Sequence, residues 1–360
     1  MKKTKLYNCH KKNNAKLVDF AGYEMPIQYS SIIAEHKAVR TSVGVFDVSH
    51  MGEIIVKGNE ALNFVQYITV NNAKKLEKGM VQYSAMCYEN GGIVDDLLVY
   101  RIDDNEFMLV VNGSNKEKDF EWMKKNNKFD AKLLDESDDY SLLAVQGPNS
   151  RKVIEKLFNQ KVDIDFYTFT MSKLLDTDII VSRTGYTGEL GFELYFKGSE
   201  ETAEKIWDAL FEAGKEFNII PAGLGCRDSL RLEMGYCLYG NDIDETTTTI
   251  EAGLGWITKL KKGEFIGSES LIKQKEEGIK KKLVALLFLD KAFPRKDYEI
   301  KKNGENIGRV TSGTVSPILE KPIAMGYVEI EHATIDNEVD VIIRGKAAKA
   351  KVIRLPFIKM

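Results

Sequence analysis

The sequence predicts an α+β fold that ends in a small β-barrel. Up to about Leu260, amphipathic helical stretches and alternating strand patterns are mixed along the chain. After that point the chain turns to short strands separated by Asn-Gly and other glycine turns, in KKLVALLFL, YEIKKNGENIGRVTSG, IAMGYVEI, VDVIIRG and KAKVIRLPF. Short strands at such close intervals are typical of a barrel.

The first half of the mixed region predicts a compact α+β unit over about residues 50 to 136. Before it, Ser30 is predicted to cap a helix that ends at Gly44, and a strand follows. Within the unit, ALNFVQYIT and NKEKDFEWMKKN are predicted helices, and VQYSAMCYE, IVDDLLVYRI and FMLVVNG are predicted strands. Asn90-Gly91-Gly92 predicts a hairpin between the first two strands, because Asn-Gly accepts the positive φ angles of a primed turn.

The second half of the mixed region predicts further strands and helices. SLLAVQGPNSRKVIEKLF has the pattern of a strand, a turn at Gly147-Pro148 and a helix. DIIVSRTGYTGELGFELYF predicts a hairpin or bent strand pair around a glycine-rich corner, and helices are predicted at ETAEKIWDALFEAGK and around CRDSLRLEMGY.

Composition and charge exclude several classes of protein. The chain has 51 Lys and Arg residues against 54 Asp and Glu residues, for a formal net charge of −3, so no positive field favours nucleic acid binding. The basic N-terminus lacks the apolar run of a signal peptide, and no stretch approaches the ~18–20 apolar residues of a membrane span. We therefore expect a cytoplasmic protein that binds neither membranes nor nucleic acids.

The cysteines and histidines give no support for a metal site. Cys9, Cys87, Cys226 and Cys237 have neither CxxC spacing nor histidines at ligand spacing, and the four histidines are scattered. We expect buried or incidental thiols and no bound metal.

Asp95-Asp96 is the first candidate for chemistry, because it lies in an apolar strand after a tight turn, where an unpartnered carboxylate is costly. Alternation places the two side chains on opposite faces, so at most one can point into a given pocket. The pair has an equally good structural explanation, as a turn-capping carboxylate beside a solvated edge residue.

Two further segments have both a binding and a structural interpretation. The segment Arg183–Glu193 is rich in glycine and supplies Tyr186 and Glu193, but its spacing matches no nucleotide-binding loop, and it is equally compatible with a strained barrel corner. Arg227 and Arg231 are four residues apart on one helical face and can grip a carboxylate, or they can form internal ion pairs.

The motifs taken together resemble one family over nearly the whole chain. VDFAGYEMPIQY, GVFDVSHMGE, YSAMCYENGGIVDDLLVY, VNGSNKEKD, AVQGP, SRTGYTGELGFEL, PAGLGCRDSLRLEMGYCLYGNDIDE and GRVTSGTVSP occur in the order and spacing of the aminomethyltransferases (T-proteins) of the glycine cleavage system. The resemblance implies a three-domain cloverleaf around a folate channel. Its domains are expected at residues 1–49 with 137–275 (α+β, discontinuous, folate-binding), 50–136 (α+β) and 276–360 (β-barrel).

The resemblance also implies site residues and a reaction. Asp96 matches the catalytic aspartate of the family, and the following residues match positions that line the folate pocket: Met51, Tyr83, Leu98, Asn112, Tyr186, Glu193, Arg227 and Tyr236. Glu193 resembles the carboxylate that holds the donor edge of the pterin. The implied co-substrate is tetrahydrofolate and the implied partner is lipoylated H-protein, whose aminomethyl group gives up its carbon with release of ammonia.

The sequence departs from the family at its C-terminus. Family members often place an arginine after the terminal Pro-Phe motif, whereas this chain ends Pro356–Met360, so Lys359 would have to replace that arginine as a point charge. Folate-dependent demethylases, the folate-linked domains of dimethylglycine and sarcosine oxidising enzymes, and an inactive folate-binding protein are alternatives within the same fold. An iron-sulfur maintenance group is a further alternative, but its Lys-Gly-Cys-Tyr-x-Gly-Gln segment is absent from Tyr236–Asp242.

Overall fold

The computed structural model describes residues 1–359, and its residues form two compact units. The first unit comprises Met1–Val65, Ala73–Tyr83 and Leu97–Asp228, and the second comprises Gln66–Asn72, Ser84–Asp96 and residues 229–359. Met360, the last residue of the expected barrel domain and of the terminal motif, lies outside the described residues. Among residues 1–359, no helix has the length and apolar character needed to cross a membrane.

The helices and strands are distributed along the whole described chain. The helices are α1 (Tyr7–Lys12), α2 (Ile32–Thr41), α3 (Ala61–Ile68), α4 (Lys116–Asn126), α5 (Ser150–Phe158), α6 (Glu200–Gly214), α7 (Leu224–Met234) and α8 (Ser268–Glu277). The strands are β1 (Lys16–Phe20), β2 (Tyr23–Gln28), β3 (Gly44–Asp47), β4 (Gly52–Lys57), β5 (Val81–Cys87), β6 (Ile93–Asp103), β7 (Glu106–Val111), β8 (Lys132–Asp135), β9 (Tyr140–Gln146), β10 (Phe169–Leu174), β11 (Thr177–Ser182), β12 (Gly191–Lys197), β13 (Ile220–Pro221), β14 (Lys281–Phe288), β15 (Glu299–Lys302), β16 (Glu305–Val315), β17 (Pro322–Glu329), β18 (Glu338–Ile343) and β19 (Lys346–Ile353).

A six-stranded sheet in the order β10-β11-β12-β9-β3-β13 has two different faces. On one face, residues such as Val145, Leu194 and Phe196 pack with Ile154 of α5 and Ile206 of α6 in an apolar core. Alternation sends the intervening residues of β12 to the opposite face. That second face is polar at its centre, because it carries the side chains of Glu193 and Tyr195.

A five-stranded sheet in the order β5-β6-β7-β4-β8 contributes the face that meets those polar residues. Its register pairs Leu98 with Val110 and Val110 with Glu53, and it pairs Tyr100 with Met108. Residues directly opposite in antiparallel strands project from the same face, so these side chains share one face of the sheet.

The two sheets meet within the first unit through the side chain of Tyr100. This tyrosine is fully buried, and its hydroxyl group hydrogen-bonds Ser182 Oγ and the Tyr195 hydroxyl, both at 3.0 Å. The polar face of the six-stranded sheet therefore packs on the face of the five-stranded sheet that carries Leu98, Val110 and Glu53. We call the buried region between them the inter-sheet layer.

The second unit contains a closed barrel in the order β14-β17-β16-β15-β18-β19. Its interior is filled by apolar side chains that alternate along the strands, among them Leu286 and Phe288 of β14, Val310 of β16 and Val328 of β17. The α+β class and the C-terminal barrel predicted from the sequence are confirmed. The three expected domain boundaries stay a prediction.

Most predicted elements are present, with one correction and several omissions. The hairpin at Asn90-Gly91-Gly92 forms, with Gly91 at a φ of 85° and the Tyr88 N–H donating to the Gly92 carbonyl at 2.8 Å. The cap of α2 is Ser31 rather than Ser30: Ser31 Oγ accepts from the Ala34 N–H, whereas the Ser30 N–H donates to the Glu35 carboxylate. The elements that were not predicted are helices α1 and α8, the hairpin β1–β2 and strands β8, β10 and β13.

Candidate active site

Glu193 lies at the centre of a hydrogen-bond network in the inter-sheet layer. Its Oε2 accepts hydrogen bonds from Thr184 Oγ1 at 2.5 Å and from the Tyr195 hydroxyl at 3.1 Å. The Tyr195 hydroxyl also shares a hydrogen bond with the Tyr100 hydroxyl, which in turn lies 3.0 Å from Ser182 Oγ. Because hydroxyl-bearing side chains from both sheets are tied together in this way, the position of the Glu193 carboxyl group is fixed by both sheets.

Burial governs the charge of the Glu193 carboxyl group. Burial raises its pKa above the ordinary value, while the hydrogen bonds from Thr184 and Tyr195 and the positive charge of Arg227 lower it less strongly. A carboxyl group held in this state is suited to accept hydrogen bonds from the N–H groups of a ligand, since these bonds replace the hydrogen bonds to water that burial removes.

Arg227 and Tyr186 form a stacked pair beside this network. The Arg227 guanidinium carbon lies 4.5 Å from the centre of the Tyr186 ring, within the range of a cation–π contact. Arg227 belongs to the first turn of α7, and Tyr186 to the glycine-rich loop between β11 and β12. The pair supplies a flat aromatic surface and a positive charge, which suits a ligand with a ring and an anionic group.

His50 extends the charged surroundings of Arg227. Its side chain is buried, and burial together with the positive charges of Arg227 and Lys116 lowers its pKa to about 3. The imidazole is therefore neutral at physiological pH, and its Nδ1 has no hydrogen-bond partner within residues 1–359.

Four of the predicted pocket residues lie on the five-stranded sheet or at its ends. Each is half-buried: Met51 directly precedes β4, Tyr83 lies on β5, Leu98 lies on β6 and Asn112 directly follows β7. Leu98 projects from the face that carries Glu53 and Tyr100. The structure thus places Leu98 on the face that forms the inter-sheet layer.

Asp96 lies on β6, an internal strand of the five-stranded sheet. Asp96 is half-buried and Asp95 is fully buried, so neither is the solvated edge residue of the structural interpretation. Asp96 and Leu98 are two residues apart, so their side chains leave the same face of the strand. By the same alternation, the side chains of Asp95 and Asp96 leave opposite faces of β6, as predicted.

Arg231 does not share the role suggested for Arg227. It belongs to the second unit, where it is 1% exposed and forms an ion pair with Asp242 through Nη1 and Oδ2 at 2.6 Å. It also donates to the Tyr236 carbonyl and to Ser312 Oγ. Of the two interpretations left open for these arginines, Arg231 therefore fits the internal ion-pair network. Tyr236 itself is 36% exposed.

Two buried polar residues of the first unit were not identified in the sequence analysis. Glu53 on β4 is 1% exposed, and neither of its carboxyl oxygens has a hydrogen-bond partner in the described part of the chain. Gln146, the last residue of β9, is also 1% exposed and contacts the glycine-rich loop. The available signal was a polar residue at the end of an apolar strand, in GEIIVK and SLLAVQ, which is also typical of ordinary strand ends.

The comparisons with known proteins agree over almost the entire chain. The GCVT N-terminal domain family matches residues 6–262, and the glycine cleavage T-protein C-terminal barrel domain family matches residues 281–359. The chain belongs to the glycine cleavage T-protein family. The resemblance drawn from the sequence motifs is thereby confirmed, and T-protein family membership places the chain among the aminomethyltransferases.

Individual T-protein relatives cover the full length of the chain. An aminomethyltransferase from Halothermothrix orenii is 52% identical over 99% of this chain and 100% of its own length. Another from Flavobacterium psychrophilum is 52% identical over 100% of both chains. The crystal structure of the glycine cleavage system aminomethyltransferase T from Bartonella henselae superposes with a TM-score of 0.92 at 34% identity, covering 99% of this chain and 98% of that one.

The four cysteines and one surface cluster are the remaining reactive groups. All four cysteines are buried, and burial raises the pKa of Cys9 and of Cys87 to about 12, so these two thiols are protonated at neutral pH. In the described residues, one group of side chains has ligand atoms close enough to hold a metal: Glu329, Glu331 and His332, of which both glutamates are exposed.

Proposed function

We propose that this chain transfers the methylene carbon of the aminomethyl group on lipoylated H-protein to tetrahydrofolate. The products are ammonia, 5,10-methylenetetrahydrofolate and dihydrolipoyl H-protein. The observation that carries the proposal is the Glu193 network, in which the carboxyl group of a half-buried glutamate lies between two sheets, beside the Arg227–Tyr186 pair. An acceptor, a ring and a cation so arranged suit a pterin with an acidic tail.

Each residue has a proposed part in binding. Glu193 accepts hydrogen bonds from the donor edge of the pterin, and Tyr186 and Arg227 pack against the bound folate. Met51, Tyr83, Leu98, Asn112 and Tyr236 line the remainder of the pocket. Lys359, which is exposed, takes the place of the arginine that binds the folate tail in many T-proteins.

Asp96 is proposed as the catalytic residue. A carboxylate there can orient the folate amine that attacks the aminomethyl carbon, stabilise the positive charge that develops as ammonia leaves, and accept the proton released by the amine. These roles need an ionised side chain close to the reacting nitrogen. A neutral amide of the same shape keeps the packing but cannot accept the proton.

The test is the formation of ammonia and methylenetetrahydrofolate from aminomethylated, lipoylated H-protein in the presence of tetrahydrofolate. We expect Asp96→Asn to lower turnover by at least about 100-fold while folate still binds, because general-base catalysis contributes ~10²–10⁴ in rate. Asp95→Asn is the matched control: it changes the neighbouring carboxylate on the opposite strand face and should keep turnover within about threefold. Normal folate binding and full turnover in Asp96→Asn would remove Asp96 from the catalytic role.

A further inference from the structure

The loop between β11 and β12, residues 183–190, carries Tyr186 and leads directly into Glu193. The side chain of Gln146, from β9 of the first unit, forms hydrogen bonds with both ends of this loop. Gln146 Oε1 accepts from Thr187 Oγ1 at 2.9 Å, and Gln146 Nε2 donates to the Thr184 carbonyl at 3.3 Å and to the Phe192 carbonyl at 3.5 Å. One buried amide therefore bonds the loop before and after Tyr186 and the strand that follows it.

Two glycines make room for the Gln146 side chain. A Cβ atom added at Gly185 or at Gly191 would overlap the Gln146 amide group. At both positions the requirement for glycine comes from this close approach, because neither has a positive φ. The amide thus fills the space inside the loop that the missing side chains leave.

Arg40 of α2 holds the same loop from outside. Its Nη1 donates to the Thr187 carbonyl at 2.6 Å and pairs with Glu189 Oε1 at 3.1 Å, and both charged side chains are largely buried. The Leu190 carbonyl accepts hydrogen bonds from the Gly147 N–H at 2.8 Å and from Ser150 Oγ at 2.9 Å. The loop is therefore anchored by side chains and backbone from three other elements.

We propose that Gln146 is the positioning residue of this loop. Its hydrogen bonds to the two ends of the loop set the affinity of the protein for folate. It acts through Tyr186, which it holds against Arg227, and through the approach of the chain to Glu193. This inference rests on the proposed function of those three residues as folate contacts. Gln146 has no part in the chemical step, so its loss should weaken binding and leave turnover at saturating folate unchanged.

The first measurement needs no folate. Hydrogen–deuterium exchange of residues 184–191 is compared in wild type, Gln146→Ala and Gln146→Met, where methionine fills the space but makes none of the three hydrogen bonds. We expect exchange of the loop amides to rise at least about tenfold in both variants. Unchanged exchange in both variants would contradict the positioning role, whatever the activity of the protein.

The second measurement is a double-mutant cycle on the dissociation constant of tetrahydrofolate. Gly185→Ala should raise Kd at least about tenfold in wild type, because the new methyl group displaces the Gln146 amide. In the Gln146→Ala background the same change should raise Kd less than about twofold, because the obstacle is gone. Gly255→Ala, at a glycine with open space around it, is the control and should leave Kd unchanged.

The outcomes separate this inference from the proposed function. Equal effects of Gly185→Ala in both backgrounds, or faster loop exchange with an unchanged Kd in Gln146→Ala, overturn the inference while the folate reaction stands. A fall of more than about threefold in turnover of Gln146→Ala at saturating folate also overturns it. Wild-type protein that binds no tetrahydrofolate overturns both the proposed function and the link to folate affinity, and loop exchange alone then decides whether Gln146 positions the loop.

Discussion

The inter-sheet layer and the barrel interior differ in the kinds of side chain that they remove from water. Along β14 the inward positions of the barrel are Val284, Leu286 and Phe288, which stabilise the fold by removing apolar surface from water. The inter-sheet layer instead buries Glu53 and two tyrosines and holds the half-buried Glu193, at a cost in desolvation. The difference indicates that the barrel interior serves stability; under the proposed function, the layer keeps polar groups for a ligand at some expense of stability.

The desolvation of polar groups in the layer shifts their pKa values. Burial raises the pKa of Glu53 well above its ordinary value, and the pKa values of Tyr100 and Tyr195 are raised for the same reason. Each shift means that the folded state disfavours the ionised form relative to water. Removal of a charge from the layer can therefore stabilise the protein, and under the proposed function it should also weaken folate binding.

The largest expected effect is a loss of stability when an apolar side chain inside the barrel is truncated. Phe288 is 2% exposed inside the barrel, so Phe288→Ala should lower the free energy of unfolding by about 3–5 kcal/mol through lost burial and a cavity. Urea unfolding measures this change. Phe288→Leu should lose less of the free energy of unfolding and stay folded, and its Kd for tetrahydrofolate should be unchanged. A tenfold weaker Kd in Phe288→Leu would contradict the division of roles.

A smaller effect, dependent on pH, is expected for Glu53 in the inter-sheet layer. Burial, and to a smaller extent the negative charges of Asp135 and Glu193, raise the pKa of its carboxyl group against the opposing positive charge of Lys116. Above the ordinary pKa of a glutamate, the folded state holds this proton more tightly than the unfolded state, so the contribution of Glu53 to stability falls as pH rises through that window. Glutamine takes up no proton and removes this fall.

Urea unfolding of wild type and Glu53→Gln at pH 4 and pH 8 measures the prediction. The stability of the variant relative to wild type should improve by at least about 1.4 kcal/mol between the two pH values, the equivalent of a tenfold preference for the proton. Glu305→Gln, which changes an exposed carboxyl group on the barrel, is the control. A stability difference independent of pH would show that Glu53 is ionised in the folded protein.

The smallest effect is expected at the barrel surface. Lys351 Nζ lies 2.8 Å from Asp336 Oδ1, and both side chains are exposed to solvent. Water and salt screen such a pair, so Lys351→Ala should leave Tm within about 1 °C of wild type in thermal unfolding. A larger fall would mean that surface ion pairs, and not only the apolar interior, stabilise the barrel.

The parts of the fold set by neighbouring residues could be predicted from the sequence. The Asn90-Gly91-Gly92 hairpin follows from local turn chemistry, and the alternation of Asp95 and Asp96 follows from strand geometry. The barrel was predictable for the same reason, since its glycine turns punctuate short strands. The cap of α2 was misplaced by one residue because Ser30 and Ser31 are equally good capping residues, and only the backbone geometry separates them.

The parts of the candidate site that depend on distant partners could not be predicted in this way. Glu53 is buried because a second sheet covers β4, and nothing local to GEIIVK encodes that sheet. Gln146 meets a loop about 40 residues further along the chain. Arg231 bonds Asp242 and Ser312, whereas its spacing from Arg227 alone left a shared ligand and an internal ion pair both open.

Thermal unfolding of wild type and Glu193→Gln, with and without tetrahydrofolate, tests the central claim most directly. The claim is that the inter-sheet layer gives up stability in order to bind folate through Glu193. Without ligand, the variant should unfold at or above the Tm of wild type at pH 8, because a neutral amide replaces a carboxyl group disfavoured by burial.

Folate at about 100 times its Kd should stabilise wild type by roughly 2.7 kcal/mol. The variant should show much less of the resulting rise in Tm, since loss of a charge-assisted contact weakens binding by about 10–100-fold. A variant that keeps the full folate-induced rise would contradict the claim, because Glu193 would then be a structural residue of the layer and not the group that holds the ligand.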